Sequence, residues 1–212
     1  MVKIAFIMTN SISPTLSLKG KRYDILLIDP PWAHFGDPNK DAAAGKYYQL
    51  MTDTDVNNLP LKKILKKDAY VFVWATTPRL NAAIEAIKAW GLHYRGVGHI
   101  WVKTRKDGGI INAQGIPPTY SKPTTELLLV ATTKKTGRPI KLLNSKLPQV
   151  VLAPREGHST KPEVFRQLIE SAFGSGYDMI EIFARRQAPG WDAIGNGVIP
   201  GEDVRDSINN II

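Results

Sequence analysis

The chain has 212 residues, 43% apolar and 22% charged, with 28 Lys or Arg against 19 Asp or Glu, a net charge of +9. That length suits one α/β domain with a full core, and the lack of cysteine excludes disulfides, thiolate nucleophiles and zinc ribbons. Residues 1–8 are too short for a secretory signal and no apolar run approaches a membrane span, so the expectation is a soluble, intracellular protein. Residues 1–22 read as an extended lead-in. Ile25 to Ile28 then form an unbroken apolar run, as in a strand buried on both faces. Asp29-Pro30-Pro31-Trp32 ends it, because two prolines stop the ladder and forbid an immediate helix.

The glycine-bearing loop over residues 34–45, next to this edge, reads as a lid. Thr52 is placed to cap a helix that stops by Pro60, and a short basic helix is expected over residues 61–67, with Ile64 and Leu65 inward. Residues 69–75 suit a second buried strand. Pro78 opens a helix whose Leu80, Ala83, Ile84 and Ile87 share one face, and Gly91 closes it. Residues 93–103 suit a third strand, residues 104–123 a long loop, and residues 126–132 a further strand. A basic connection over 134–146 and a short strand ending at Leu152 follow. A helix then carries Val164, Phe165, Leu168, Ile169, Ala172 and Phe173 on one face up to Gly174. Residues 178–183 read as a last core strand, Gly190 to Gly197 as a tight segment, and residues 199–212 as a loose tail. Strand, helix, strand in this rhythm predicts crossovers and a parallel sheet.

In such a sheet ligands bind beyond the carboxyl ends of the strands, where Asp29-Pro30-Pro31-Trp32 falls. A carboxylate, a rigid backbone carbonyl and an indole face suit a flat heterocycle bearing an amino group: the oxygens accept from the amine and the ring stacks. The plainer reading is a Pro-Pro turn whose Trp32 fills the core and whose Asp29 caps a neighbouring turn. Residues 101–150 hold nine Lys or Arg and two acids, so +7 of the +9 lies there. A field that concentrated points to a polyanion, nucleic acid first; the alternative is a solvated basic surface. Trp74 and Trp101 sit in strand patterns and read as core, and His158 as a loop histidine. Glu126, at a strand start, reads as a residue that orders neighbouring loops.

Several segments in order resemble the MT-A70 family of adenine N6-methyltransferases: Asp29-Pro30-Pro31-Trp32, Tyr48 before Met51-Thr52-Asp53, Trp74, Trp101 to Thr104, Thr125 to Val130, His158 to Pro162, Glu181 to Arg185, and Gly190-Trp191 with Gly195-Asn196. The resemblance covers residues 23–198 and implies a Rossmann-like class I methyltransferase domain. Its sheet would be mostly parallel, with helices on both faces and a permuted, beta-class motif order. S-adenosylmethionine is then the methyl donor and no metal is required. By the same resemblance Asp29 and the Pro30 carbonyl hold the target amine, with Pro31 stiffening the turn and Trp32 beside the adenine. Tyr48 closes over the target. Lys161 meets the donor's carboxylate, Arg185 and Asn196 its ribose and adenine, and Gln187 a further polar contact. The segment from Arg185 to Trp191 is shorter than in eukaryotic members, and Gly197 replaces a side-chain contact they have. Lys103, Arg105, Lys106 and Lys122 are expected along the phosphate backbone of the substrate. The small size resembles bacterial or phage members, implying DNA as substrate and a cytoplasmic setting. RNA, or a catalytically silent partner subunit in a homo- or heterodimer, is the alternative; a eukaryotic source would imply the nucleus.

Overall fold

The computed structural model describes residues 18–32, 50–111, 120–157, 160–201 and 203–212. Seven strands form a single sheet in the order β5-β3-β4-β2-β1-β6-β7. They are β1 (Tyr23–Ile28), β2 (Leu65–Thr76), β3 (His93–Thr104), β4 (Thr125–Thr132), β5 (Val150–Pro154), β6 (Met179–Ile182) and β7 (Asp192–Ile194). β1 pairs in parallel with β2 and β6, β6 with β7, and β3 with β5. Only β4 runs against its neighbours, β2 and β3. That reversal matters: the start of β4 meets the same edge of the sheet as the ends of β1, β2 and β3.

Side chains alternate across a strand, so each strand feeds two cores. On one face Leu26, Ile28, Val71, Val73, Leu129, Ala131, Ile180 and Ile182 pack with residues of three helices. These are α1 (Asp53–Asn57), α2 (Leu80–Ala89) and α4 (Val204–Ile211). On the other face Ile25, Leu27, Phe72, Trp74, Trp101 and Leu128 pack against α3 (Val164–Phe173) through Phe165, Ile169, Ala172 and Phe173. Phe165 meets Trp74 edge to face, 4.8 Å between centroids, a favoured aromatic arrangement. Trp74 and Trp101 are core residues, as their strand settings predict.

α1 starts as expected. The Thr52 side chain accepts from the Asp55 N–H while the Asp55 carboxylate accepts from the Thr52 N–H, a reciprocal capping box. α2 ends before Gly91, whose φ of +71° only glycine adopts without cost.

Three elements differ from the sequence reading. The basic helix expected over residues 61–67 is a single 3-10 turn, Leu61–Ile64, and Lys66 and Lys67 already belong to β2. Lys66 is held there by Asp24 at 2.7 Å and Asp178 at 2.6 Å, partners far off in the chain. Asp192–Ile194 forms an edge strand on β6. The loose tail contains α4, capped by the Asp203 side chain, which buries Val204, Ser207, Ile208 and Ile211. No helix among the described residues is long and apolar enough to cross a membrane.

Candidate active site

The chain passes from β1 to β2 on one side and later lays β6 on the other, so the strand order switches direction at β1. A crevice at the carboxyl ends of strands flanking such a point is where open α/β sheets bind ligands. Asp29 stands there, its N–H donating to the Ile182 carbonyl at 3.4 Å. The two prolines that follow turn the chain sharply. The Trp32 N–H donates to the Pro30 carbonyl at 2.8 Å, and the Met51 N–H donates to the Pro31 carbonyl at 3.0 Å. A carbonyl oxygen has two lone pairs, so Pro30 keeps one acceptor site beside Asp29.

Trp32 does not present a stacking face. It is 7% exposed and packed in the core, with its indole N–H donating to the Trp74 carbonyl at 3.3 Å. The Arg79 guanidinium lies 5.4 Å from its ring centroid and is itself anchored on Asp53. The stacking expectation for Trp32 is therefore corrected: the indole fills the core, as the plainer reading has it, and locks the Pro-Pro turn from below, while the Asp29 carboxylate meets Lys161 rather than capping a turn.

Strand parity gathers the charged groups. Asp29 follows Ile25 and Leu27 at a spacing of two, Lys103 follows Trp101, and Glu126 precedes Leu128, all on the α3 face. Lys161, in the connection from β5 to α3, reaches down onto them. Its Nζ lies 2.7 Å from Asp29 Oδ2 and 3.2 Å from Glu126 Oε2, and Lys103 Nζ lies 2.6 Å from Glu126 Oε1. The result is an alternating row, Asp29, Lys161, Glu126, Lys103, with zero net charge.

The electrostatics follow from burial and order within the row. Burial pushes the Asp29 carboxyl above its usual range, against the pull of Lys161 and Arg185 and with the push of Glu126. Burial would lower the Lys161 ammonium, but Asp29 and Glu126 outweigh it and hold the group firmly protonated. Glu126 is buried too, which would raise it, yet the two lysines keep it below the ordinary glutamate value. Of Asp29, Lys161 and Glu126, Asp29 is thus the one whose charged form is disfavoured on balance.

The other wall of the crevice is the end of β6. Phe183 has φ +63°, alone among the described non-glycine residues in being positive. Such strain costs roughly 1–3 kcal/mol and is typical of functional edges. Residues 183–185 are clasped by the turn after β7, with Ala184 donating to Ile194 and Gly197 donating to Ala184. A Cβ at Gly195 would overlap the Ala184 backbone, and one at Gly197 the Arg185 carbonyl. Position 197 therefore has no room for the side-chain contact that eukaryotic relatives are expected to make there. Arg185 is half-buried, and its charge falls on Asp29 across the crevice.

The remaining predicted residues scatter. Asn196 is exposed on the same turn, its Oδ1 accepting from the Gly201 N–H at 2.9 Å. Gln187 is not brought to the crevice: its amide donates to the Trp191 carbonyl, and it lines a hollow of about 540 Å³ with Lys21, Asp178 and Asp192, at the amino ends of the strands. Only nine residues separate β6 from β7, so the connection must run straight back to that end. Lys103 is correspondingly not a free phosphate ligand but the end of the charged row. Arg105, Lys106 and Lys122 are exposed, and Arg105 shares its charge with Asp107 at 3.2 Å. The backbone of Lys103 receives the flanking loops: Ile111 donates to it, and it donates to Thr124. Tyr48, His158 and the expected lid lie outside the described residues. Sequence reasoning missed the buried Arg79 and Arg166. Arg166 joins Glu163 to Glu181, a pairing over 15 residues that no local pattern announces.

Among the described residues no cluster of His, Asp and Glu is placed to hold a metal ion. The model of the MT-A70 family matches residues 23–197. The chain is 26% identical over 202 residues to the human N(6)-adenine-specific methyltransferase METTL4, covering 91% of this chain and 41% of that protein. It is 27% identical over 195 residues to the type II methyltransferase M.MunI of Mycoplasma sp., 84% of this chain and 78% of that one. The N6-methyladenosine RNA methyltransferase MTA1 of Pyricularia oryzae is 28% identical over 189 residues, 84% of this chain and 47% of its own. The chain thus spans about two fifths of its human relative and most of its Mycoplasma one. With the matched stretch running from the first residue of β1 to the turn beyond β7, this chain belongs to the MT-A70 family.

Proposed function

We propose that this protein transfers the methyl group of S-adenosylmethionine to the N6 amine of adenine in nucleic acid, with DNA favoured over RNA. The observation that carries the reading is a partly buried carboxylate, Asp29, set by a Pro-Pro turn at the sheet's switch point, with the Lys161 ammonium on it and the Arg185 charge acting on it. These groups suit an amino-acid-bearing donor. Lys161 would hold its carboxylate end, and Arg185 with the exposed turn at Asn196 its ribose and adenine. The glycines at 195 and 197 let that turn seat tightly on β6. When bound, the donor supplies a methyl group already activated on a sulfonium, so no further electrophile is needed.

The chain's own contribution is placement. Asp29 Oδ1, the oxygen that Lys161 leaves open, and the second lone pair of the Pro30 carbonyl accept the two hydrogens of the target amine. They aim the nitrogen lone pair along one line and favour positive charge as it develops there. Positioning of this kind is worth ~7–11 kcal/mol in well-oriented reactions. As the nitrogen gains its methyl it must shed a proton, and Asp29, held above the usual carboxylate range by burial, is the adjacent acceptor. A paired adenine is out of reach in the stack, so the base must be unpaired or flipped. The exposed Arg105, Lys106 and Lys122 are assigned to the phosphates beside it. The chain spans only 47% of the RNA methyltransferase from Pyricularia oryzae but 78% of the Mycoplasma enzyme, and this compact size is what supports DNA over RNA.

Transfer of labelled methyl to adenine-containing DNA and RNA, in paired and unpaired forms, tests the reading. Label on adenine in DNA that is lost in Asp29→Ala is the expected result. Label confined to RNA would overturn the choice of DNA, and no transfer to any adenine would overturn the activity.

A further inference from the structure

Lys161 stands between two carboxylates, and only one of them faces the crevice. If Lys161 lay wholly on Asp29, it would occupy the oxygens that must accept the target amine. If it lay wholly on Glu126, Asp29 would be a buried carboxylate without its nearest counterion. The structure shows an intermediate placement, 2.7 Å from Asp29 and 3.2 Å from Glu126. What fixes it is the other end of the row. Glu126 gives one oxygen to Lys161 and the other to Lys103, at 2.6 Å. Lys103 lies over the Trp101 ring at 5.2 Å and Lys161 over the Trp74 ring at 5.5 Å, so both ammonium groups are also seated on buried aromatics.

We propose that Glu126 and Lys103 are positioning residues. Glu126 draws Lys161 back so that Asp29 keeps an oxygen open to the target amine, and Lys103 limits how far it is drawn. The inference rests on Asp29 holding that amine. Two things distinguish it from a merely structural ion pair. First, an ammonium has three donors, and Asp29 and Glu126 use two. Holding Lys161 at both leaves it one donor that neither carboxylate uses. Second, the two ends of the row bias the position of Lys161 in opposite directions. Loss of the Glu126 charge removes a repelling anion and lets Lys161 settle on Asp29. Loss of the Lys103 charge leaves Glu126 with one counterion and draws Lys161 away. The other groups acting on Asp29, Arg185 from the end of β6 and Glu181 from within it, are unchanged by either substitution.

The test is to follow the Asp29 carboxyl carbon by 13C NMR through a pH titration of the full chain, free of donor and nucleic acid. Asp29→Asn assigns the signal. Glu126→Gln should lower the Asp29 midpoint relative to the wild type, and Lys103→Gln should raise it. Both variants should lose kcat on the order of 10²-fold, the scale of a displacement of about 1 Å at a reacting group. Donor affinity should fall much less. Midpoints that do not move, or that move in the same direction in both variants, would overturn the proposal, as would wild-type kcat in both. Should Glu126→Gln fail to fold by circular dichroism, Lys103→Gln alone decides through the sign of its shift. A wild-type protein that methylates no adenine would sink the proposed activity while leaving the titration readable, so the two failures are distinct.

Discussion

One lysine between two carboxylates occurs at both edges of the sheet. At the amino edge Lys66 joins Asp24, before β1's core, to Asp178, before β6. At the carboxyl edge Lys161 joins Asp29 to Glu126. Lys66 sits evenly between its carboxylates and Lys161 unevenly, and the surroundings differ more. In the first trio the Lys66 and Asp178 side chains are 39% and 59% exposed and only Asp24, at 13%, is shielded, whereas in the second Lys161, Glu126 and Asp29 are 16%, 12% and 23% exposed. Water reaches the lysine and one carboxylate of the first trio, which staples β1, β2 and β6 and contributes little beyond that. The second trio is desolvated, so removing any one charge leaves the others uncompensated. Connectivity alone would call the two alike; burial makes one a fastening and the other a reactive site.

The sharpest way to break this comparison is Asp29→Asn. Turnover should vanish while fold and donor binding persist, as read by methyl transfer, circular dichroism and calorimetry; wild-type rates would show that the buried edge is no more reactive than the exposed one. Next in size is Lys161→Ala, which should cost about 3–5 kcal/mol of stability in urea denaturation, the scale for a broken buried pair. It should also raise the dissociation constant of the donor. Equal stability would mean that Asp29 simply takes a proton when its counterion goes. A smaller effect concerns charges in neither trio. Neutralising Arg105 and Lys106 together should flatten the slope of log K against log[salt] by about 1 to 2, weakening all sequences alike. An unchanged slope places the nucleic acid elsewhere. The smallest effect is Lys66→Ala, which should stay within about 1 kcal/mol and leave turnover untouched.

Acid should separate the two edges as well. Glu126 lies below its ordinary value when folded, so its stabilisation is present above the unfolded pKa and is lost as pH falls through the folded one. Asp29 runs the other way: raised by burial, its ionised form costs stability above the unfolded pKa. Activity requires that ionised form. The acid limb of kcat should therefore lie at higher pH than for an ordinary aspartate, and Lys66→Ala should not move it.

Much of this arrangement is legible in the residues. The apolar run before Asp29, the Thr52 cap and the one-sided pattern of α3 each place an element correctly because the signals are local. Lys161 was read as a site residue from motif likeness, and strand parity explains why it meets Asp29. What is not legible depends on distant partners. Lys66 and Lys67 look like a helix face until Asp24 and Asp178 claim the first of them. Trp32 looks like a stacking platform until Arg79 and the Trp74 carbonyl enclose it. The basic charge of Lys103 cannot be told from its neighbours' until β4 turns back and sets Glu126 beside it. For α4 the signal was present, an Asp203 cap followed by Val204, Ser207, Ile208 and Ile211 at helical spacing, and was overlooked.

The Gly20 N–H donates to the Ile211 carbonyl at 2.7 Å, which ties the approach to β1 to the end of α4. Beginning and end of the described fold are therefore neighbours in space. A short peptide joining residue 212 to residue 18, with the chain opened in the connection at 134–146, would leave every strand beside the same neighbours. Which strand comes first along the chain is thus a matter of where the backbone is cut. The crevice depends only on which strands lie side by side, and an ancestral gene could be circularly rearranged without moving Asp29 relative to Arg185.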